Sequence, residues 1–600
     1  MPESTPPARS AVPVKDTWNA ESVFPSPAAW EAEYQAIAGS LREFERFQGH
    51  LGESAAVLAD CLTARDALVQ RLGKLWAYAS LSHSVNTADQ AAAALLSRTQ
   101  GLLAQAAGAM AFVEPELIAL GQETVLRQLP ADPRLGIYAH YVEDLFRQQA
   151  HRRSSEVEQV LGMVSDPLGA VETTYSMLTA ADMRFPPARS SQGEAVEVTQ
   201  GTFEKILAEP DREARRTAWE SYNDTYLAFK NTLANNLMTT LKADVFRARV
   251  RRHESTLAAS LFTNNIPLAV FYRLIETFRA HLPTWHRYWR VRRRLLGVER
   301  LAPYDIWAPL ISEPPRITFA QAVDWIAAGL APMGEDYVRT LRQGCLQERW
   351  VDWAPNRGKV AGAFSSGAPG TYPFIVLSFD DTYYSLGTLA HELGHSMHSY
   401  LTWKHQPIIY SDYALFVAEV ASNFHQAMVR SYLLDHLTDR AQQIAVLEEA
   451  MSNFHRYLFI MPTLARFELE VHERLEKGVG VAADDLIQLM ADLFSEGYGG
   501  EMQVDRERVG ITWAEFGHLY MNYYVYQYAT GISAANALSR RILAGTPGAV
   551  EDYLGFLKAG SSVYPLDALK MAGVDMTTTR PVEEAFGVLD GLVDRLEALG

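Results

Sequence analysis

Three of the 16 histidines in this 600-residue chain fall within the run His391-Glu392-Leu393-Gly394-His395-Ser396-Met397-His398. From Ser385 onward Leu386, Leu389, Ala390, Leu393, Met397 and Leu401 recur at spacings of three and four, the apolar stripe of a packed helix. That spacing predicts His391 and His395 one turn apart on one face, where two imidazoles can approach one divalent ion at ~2.0–2.1 Å each. Glu392, rotated by ~100°, is expected to address a water beside the ion rather than the ion itself. The chemistry this composes is hydrolysis: zinc would lower the pKa of water from about 15.7 toward ~7, and Glu392 would take its proton as general base.

An HExxH run also occurs in helices whose histidines merely pack, so a third ligand is the discriminating feature. A hydrolytic zinc site uses three protein ligands and one open position. The metzincin continuation would need glycine at 398 and histidine at 401, and this chain has His398 and Leu401. Between His395 and Asp435 the only acids are Asp412 and Glu419. Asp412, after Ser411, is expected to cap the helix carrying Tyr413 to His425, whereas Glu419 is expected two turns in, among apolar neighbours. A carboxylate on a buried helix face costs several kcal/mol unless compensated, by a cation or by an internal ion pair. His391, His395 and Glu419 are the expected ligands of one zinc ion per chain.

A tetrahedral intermediate also needs donors for its oxyanion, and five tyrosines fall within the nine residues from Tyr520 to Tyr528. If that stretch is helical, Tyr523 and Tyr526 share a face one turn apart, with His518 as a further group to polarise a carbonyl. Aromatic core packing is the alternative for two or three of these tyrosines. Strand character is strong only in Lys359–Phe364 and Tyr372–Phe379, which read as a hairpin joined by Ser365–Gly370. An exposed edge there could add an extended peptide as a further strand.

The elements that must position these groups read as mainly helical. Ser26-Pro27 signals a helix running to roughly Phe47, and apolar residues at helical spacing fill roughly 55–110, 154–180, 203–250, 268–295 and 319–343. Gly101–Val113 is too short to span a membrane and reads as a close-packed core helix. Ser190–Val198 reads as a loop entering a short strand, near a boundary at about 190–205. The expected division is a disordered lead over 1–15, a helical domain over 16–200 and a catalytic domain over 201–600. Six hundred residues exceed one compact core, and 54 basic against 71 acidic residues leave a net charge of −17, which disfavours nucleic acid and anionic membranes as partners. Cys61 and Cys345 form no ligand spacing, which fits a reducing, cytoplasmic setting, and the N-terminal residues lack the pattern of a secretory signal.

Taken together, Thr388–His398, Phe416-Val417-Ala418-Glu419 and Tyr523–Gly531 resemble the oligoendopeptidase F family of thimet oligopeptidase-like gluzincin peptidases. Supporting matches lie at Asp211–Arg215, Ser260–Asn265, Tyr304-Asp305 and Thr17-Trp18-Asn19, so the similarity covers almost the whole chain. It implies a closed, ellipsoidal helical fold with a deep channel and a small sheet beside the zinc helix, and endopeptidase action on short unstructured oligopeptides. It maps zinc to His391, His395 and Glu419, the general base to Glu392, transition-state contacts to His518, Tyr523 and Tyr526, and substrate pairing to Gly362, Ala363 and Phe364. Two departures are Ser365-Ser366, where relatives often carry a cysteine nearby, and Ala421, where the thimet branch has proline. A zinc carboxypeptidase of related helical fold and a non-catalytic peptide-binding scaffold are the competing readings. An aminopeptidase is disfavoured by the lack of a Gly-x-Met-Glu-Asn segment.

Overall fold

The computed structural model describes residues 6–599, and helices dominate it. The chain folds as two compact units, each assembled from three stretches: Met1–Ala150, Arg316–Leu433 and Leu538–Gly573 in the first, and His151–Pro315, Leu434–Ala537 and Val574–Gly600 in the second. The boundary expected at about 190–205 therefore falls inside the second unit. Its Gly- and Ser-rich residues are not a linker but the turn of a hairpin. Strand β1 (Ala188–Arg189) pairs antiparallel with β2 (Ala195–Val196), and the Ser190 amide closes the turn on the Glu194 carbonyl at 2.9 Å.

In the first unit, helix α1 (Pro27–Ser40) starts where the Ser26 side chain accepts the Ala29 amide, and a short 3-10 stretch continues it to Phe47. Helices α2 (Ala55–Ser84) and α3 (Gln90–Met110) bury Leu58, Leu62, Leu72 and Leu102 against Trp30, Leu117 and Phe146. The close-packed helix expected at Gly101–Val113 is corrected here: Leu102, Ala106 and Val113 face the core while Ala104, Ala107 and Ala111 are exposed. Alanine carries so little apolar surface that exposing it costs little, so an alanine-rich run does not by itself mean burial. By length and composition alone the wider segment Gln90–Leu120 is long and apolar enough to cross a membrane.

Residues 1–5 of the expected disordered lead lie outside the described residues, and the remainder is bound. Arg9 donates to both oxygens of Asp352, at 2.8 and 2.5 Å, and the Trp18 amide donates to the same carboxylate at 3.1 Å. Asp352 is completely buried and also receives Lys359, so charge pairing fastens Arg9, while Trp18 packs into an apolar cluster with Leu81, Phe374 and Val376. Asp352 ends strand β3 (Val351–Asp352) of a three-stranded sheet ordered β3-β5-β4, with β4 at Phe364–Ser366 and β5 at Phe374–Val376. The expected hairpin is present but shorter and displaced. Ser365 and Ser366, expected in the loop, pair with Ile375 and Phe374, and β3 adds a parallel strand that the sequence pattern does not announce.

The sheet leads into helix α4 (Tyr383–His405), whose start is fixed by Thr382 accepting the Ser385 amide and whose last turn carries Lys404 and His405 beside the exposed carbonyls. Helix α5 (Leu415–His436) follows. Asp412 precedes it by three residues and accepts only the amide of its neighbour Tyr413, so it does not cap the helix, and Glu419 lies one turn in rather than two. In the second unit, helix α6 (Met461–Glu476) and the start of helix α7 (Tyr526–Leu543) carry the residues considered below. An aromatic cluster of Trp285, Trp289, His455 and Phe459 fills part of its core, with Trp285 5.1 Å from Phe459.

Candidate active site

Gly394 explains how α4 and α5 come together. A Cβ at this position would lie 2.4 Å from the Ala421 carbonyl oxygen and 2.5 Å from the Ser422 Cα, so only glycine allows the two backbones to touch. That contact brings Glu419 against the histidines. His391 Nε2 lies 3.2 Å from His395 Nε2 and 3.3 Å from Glu419 Oε2, and His395 Nε2 lies 3.9 Å from that same oxygen. Among the described residues this is the one group whose donor atoms could hold a metal ion, all lying within 4.8 Å of one another.

The donor set fits zinc. Ligands at ~2.0–2.1 Å in a tetrahedron are about 3.3 Å apart, close to the separations seen, and two imidazole nitrogens facing each other need a cation or proton between them. Glu392 supplies a second sign: it is 5% exposed, and its Oε2 is buried with no hydrogen-bond partner. Burial lifts its pKa to about 7, against the pull of His391. Burial opposes a charge on His391, but the Glu419 carboxylate outweighs it and raises that imidazole to about 9. Glu419, despite burial, is held down at about 2 by His391 and His395, while burial depresses His395 to about 4. Without a metal the site thus pairs a protonated His391 with the Glu419 carboxylate, a positive charge that a divalent cation would replace.

Two supporting residues carried no signal in the motif. Gln426 Oε1 lies 3.0 Å from His391 Nδ1, turning Nε2 toward the cluster, and Ser422 donates to Glu419 Oε2 at 3.0 Å. Both lie three and seven residues after Glu419 on one face of α5, a spacing that points to them once Glu419 is taken as a ligand.

Gly362, Ala363 and Phe364 lie in the same unit. Gly362 turns the chain with φ +83°, Ala363 precedes the strand, and Phe364 opens the edge strand β4 opposite Val376. Only Phe364 of the three is in a strand. The next residue joins that edge to the metal helix, Ser365 Oγ lying 2.8 Å from Ser396 Oγ.

His518, Tyr523 and Tyr526 belong to the second unit, and their expected helical arrangement is corrected. Gly517–Tyr520 is a single 3-10 turn, Tyr523 is left-handed with φ +49°, and α7 begins only at Tyr526. Tyr523 and Tyr526 are therefore not successive turns of one helix. The Tyr523 ring is 1% exposed and stacks on His472 at 4.8 Å, with its hydroxyl 3.4 Å from Thr256 Oγ1. Tyr526 is buried with its ring edge-on to Phe271 at 5.3 Å. The phenols that gather at the half-buried His518 are two others: Tyr524, stacked at 5.7 Å, and Tyr528 at 6.1 Å, their hydroxyls 3.0 Å apart. Burial, aided by Arg456, lowers the His518 pKa, so its imidazole is neutral at pH 7.

The model of "Peptidase family M3" matches residues 206–588, and that of "Oligopeptidase F" matches 116–185. The chain belongs to peptidase family M3. It is 38% identical to oligopeptidase PepF of Bacillus subtilis over 99% of this chain and 88% of that protein. It is 35% identical to group B oligopeptidase PepB of Streptococcus agalactiae over 98% of both. The crystal structure of oligoendopeptidase-F from Enterococcus faecium superposes with a TM-score of 0.75 at 30% identity, covering 95% of this chain and 98% of that one. Membership of family M3 makes the protein a metalloendopeptidase acting on oligopeptides, as the oligoendopeptidase F resemblance implied.

Proposed function

We propose that His391, His395 and Glu419 hold one zinc ion and that Glu392 is the general base for hydrolysis of internal bonds in short peptides. The observation that carries this is the Glu392 carboxyl, buried, unpartnered at Oε2 and beside three converging donors. Zinc, when bound, supplies Lewis acidity that makes a water acidic near neutral pH and polarises the scissile carbonyl. Glu392 takes the proton of the attacking water and passes it to the departing amine, a transfer that its pKa near neutrality favours. Gln426 fixes the His391 ring and Ser422 the Glu419 carboxylate.

We assign the peptide backbone to the edge of β4, entered through Gly362, Ala363 and Phe364, where an edge strand can add an extended chain. For the oxyanion, the resemblance points to His518, Tyr523 and Tyr526; the neighbours of each support His518, with Tyr528 and Tyr524 beside it, and leave Tyr523 a packing role. A cytoplasmic peptide-degrading enzyme is the setting we favour, since Cys61 and Cys345 are both buried and unpaired. The test is cleavage of an internally quenched peptide by Glu392→Gln. Activity is expected to fall by about 10²–10⁴-fold with metal content unchanged, and retained turnover would remove Glu392 from the reaction. Products released one terminal residue at a time would instead favour an exopeptidase.

A further inference from the structure

Tyr523 is the one non-glycine residue between Gly517 and Tyr528 with a left-handed φ, a conformation that side chains adopt only where their surroundings hold them. The holding groups are visible. Glu468, in α6 and 1% exposed, accepts the Tyr523 N–H through Oε1 at 2.6 Å. Ser260 donates its hydroxyl to the Asn522 carbonyl at 3.1 Å. The Asn522 carbonyl and the Tyr523 N–H are the two ends of one peptide group, so both ends are pinned from outside the segment.

Stability alone does not account for an acid at this position. Glu468 Oε2, Asp244 Oδ2 and His472 Nε2 are all buried without hydrogen-bond partners, so the acid satisfies the Tyr523 amide while its own second oxygen stays unpaired. Burial, opposed by the Tyr523 amide and reinforced by the Asp244 carboxylate, keeps the Glu468 pKa well above the ordinary carboxyl value. Burial thus favours the uncharged acid, and the oxygen that accepts the amide is one a glutamine would also offer.

We infer that Glu468 is a positioning residue for peptide hydrolysis: by pinning the 522–523 peptide group it fixes the bend from which Tyr524, Tyr526 and Tyr528 leave, and hence the aim of their hydroxyls. The inference rests on the proposal above that this segment contacts the reacting carbonyl. Its test compares Glu468→Met and Glu468→Gln in the full chain by kcat, KM, metal content and thermal unfolding. Glu468→Met is expected to lower kcat per bound metal and per folded chain by about 10–100-fold, with KM within about threefold, because misaimed donors slow chemistry without weakening substrate binding. Glu468→Gln is expected to keep kcat within about threefold of the parent. A Glu468→Met protein with parental kcat, or a loss that merely follows metal content or folded fraction, overturns the inference. Should that variant not fold, Ser260→Ala removes the second pin, and an unchanged kcat there overturns it equally. His518→Ala and Tyr528→Phe run in parallel: parental turnover in both defeats the segment's catalytic role, whereas losses there beside an unaffected Glu468→Met defeat this inference alone.

Discussion

The α4–α5 pair and the stretch from Gly517 to Tyr528 hold their functional groups by different physics. In the first, two regular helices meet backbone to backbone at Gly394, and the candidate ligands His391 and His395 on one helix and Glu419 on the other follow from helical spacing, with Ser422 and Gln426 supporting them. In the second, an irregular backbone is fixed at the 522–523 peptide by side chains from elsewhere in the unit, Glu468 and Ser260, with Thr256 against the Tyr523 hydroxyl. Regular elements make a site tolerant of change except where the elements touch. A bend makes a site depend on every group that pins it.

That contrast can be broken at several points. After Glu392→Gln the largest effects belong to the bend: His518→Ala, and Tyr528→Phe if that phenol is a true oxyanion donor, should each lower kcat by about 10²–10³-fold. Tyr523→Phe should cost under about tenfold, because its hydroxyl faces Thr256 in the core. Equal losses at Tyr523 and Tyr528 would erase the distinction between packing and reacting tyrosines. Next, Gln426→Leu frees the His391 ring and should weaken metal binding by about 10–100-fold, read by chelator competition, while the fold survives. Gly394→Ala drives a Cβ into the Ala421 carbonyl and should destabilise the first unit by about 1–3 kcal/mol in denaturant unfolding, with metal affinity falling alongside. A fully stable Gly394→Ala protein would show that the helices need not touch there.

The same contrast explains what could be read from residue order. The three-donor cluster was legible because periodicity within α4 is a local property and Glu419 falls among apolar neighbours, although Asp412, set aside as a cap, does not cap α5. Gln426 and Ser422 were within reach by extending that argument along α5. The tyrosine stretch misled because helical spacing was applied where Tyr523 breaks the helix, and its left-handed conformation depends on Glu468, 55 residues earlier in the chain. The mainly helical class followed from punctuation and period, but the two units interleave six stretches of chain, which no local composition shift reveals. Arg9 looked like part of a free end because its partner, Asp352, lies 343 residues away.

The central claim is that His391, His395 and Glu419 together hold one catalytic zinc. Metal analysis of the purified, dialysed protein beside His395→Ala and Glu419→Gln tests it most directly. The account predicts about one zinc per parent chain and less than about a tenth of that in either variant, since a three-ligand site loses its affinity with any one ligand. Full zinc content in both variants would contradict it.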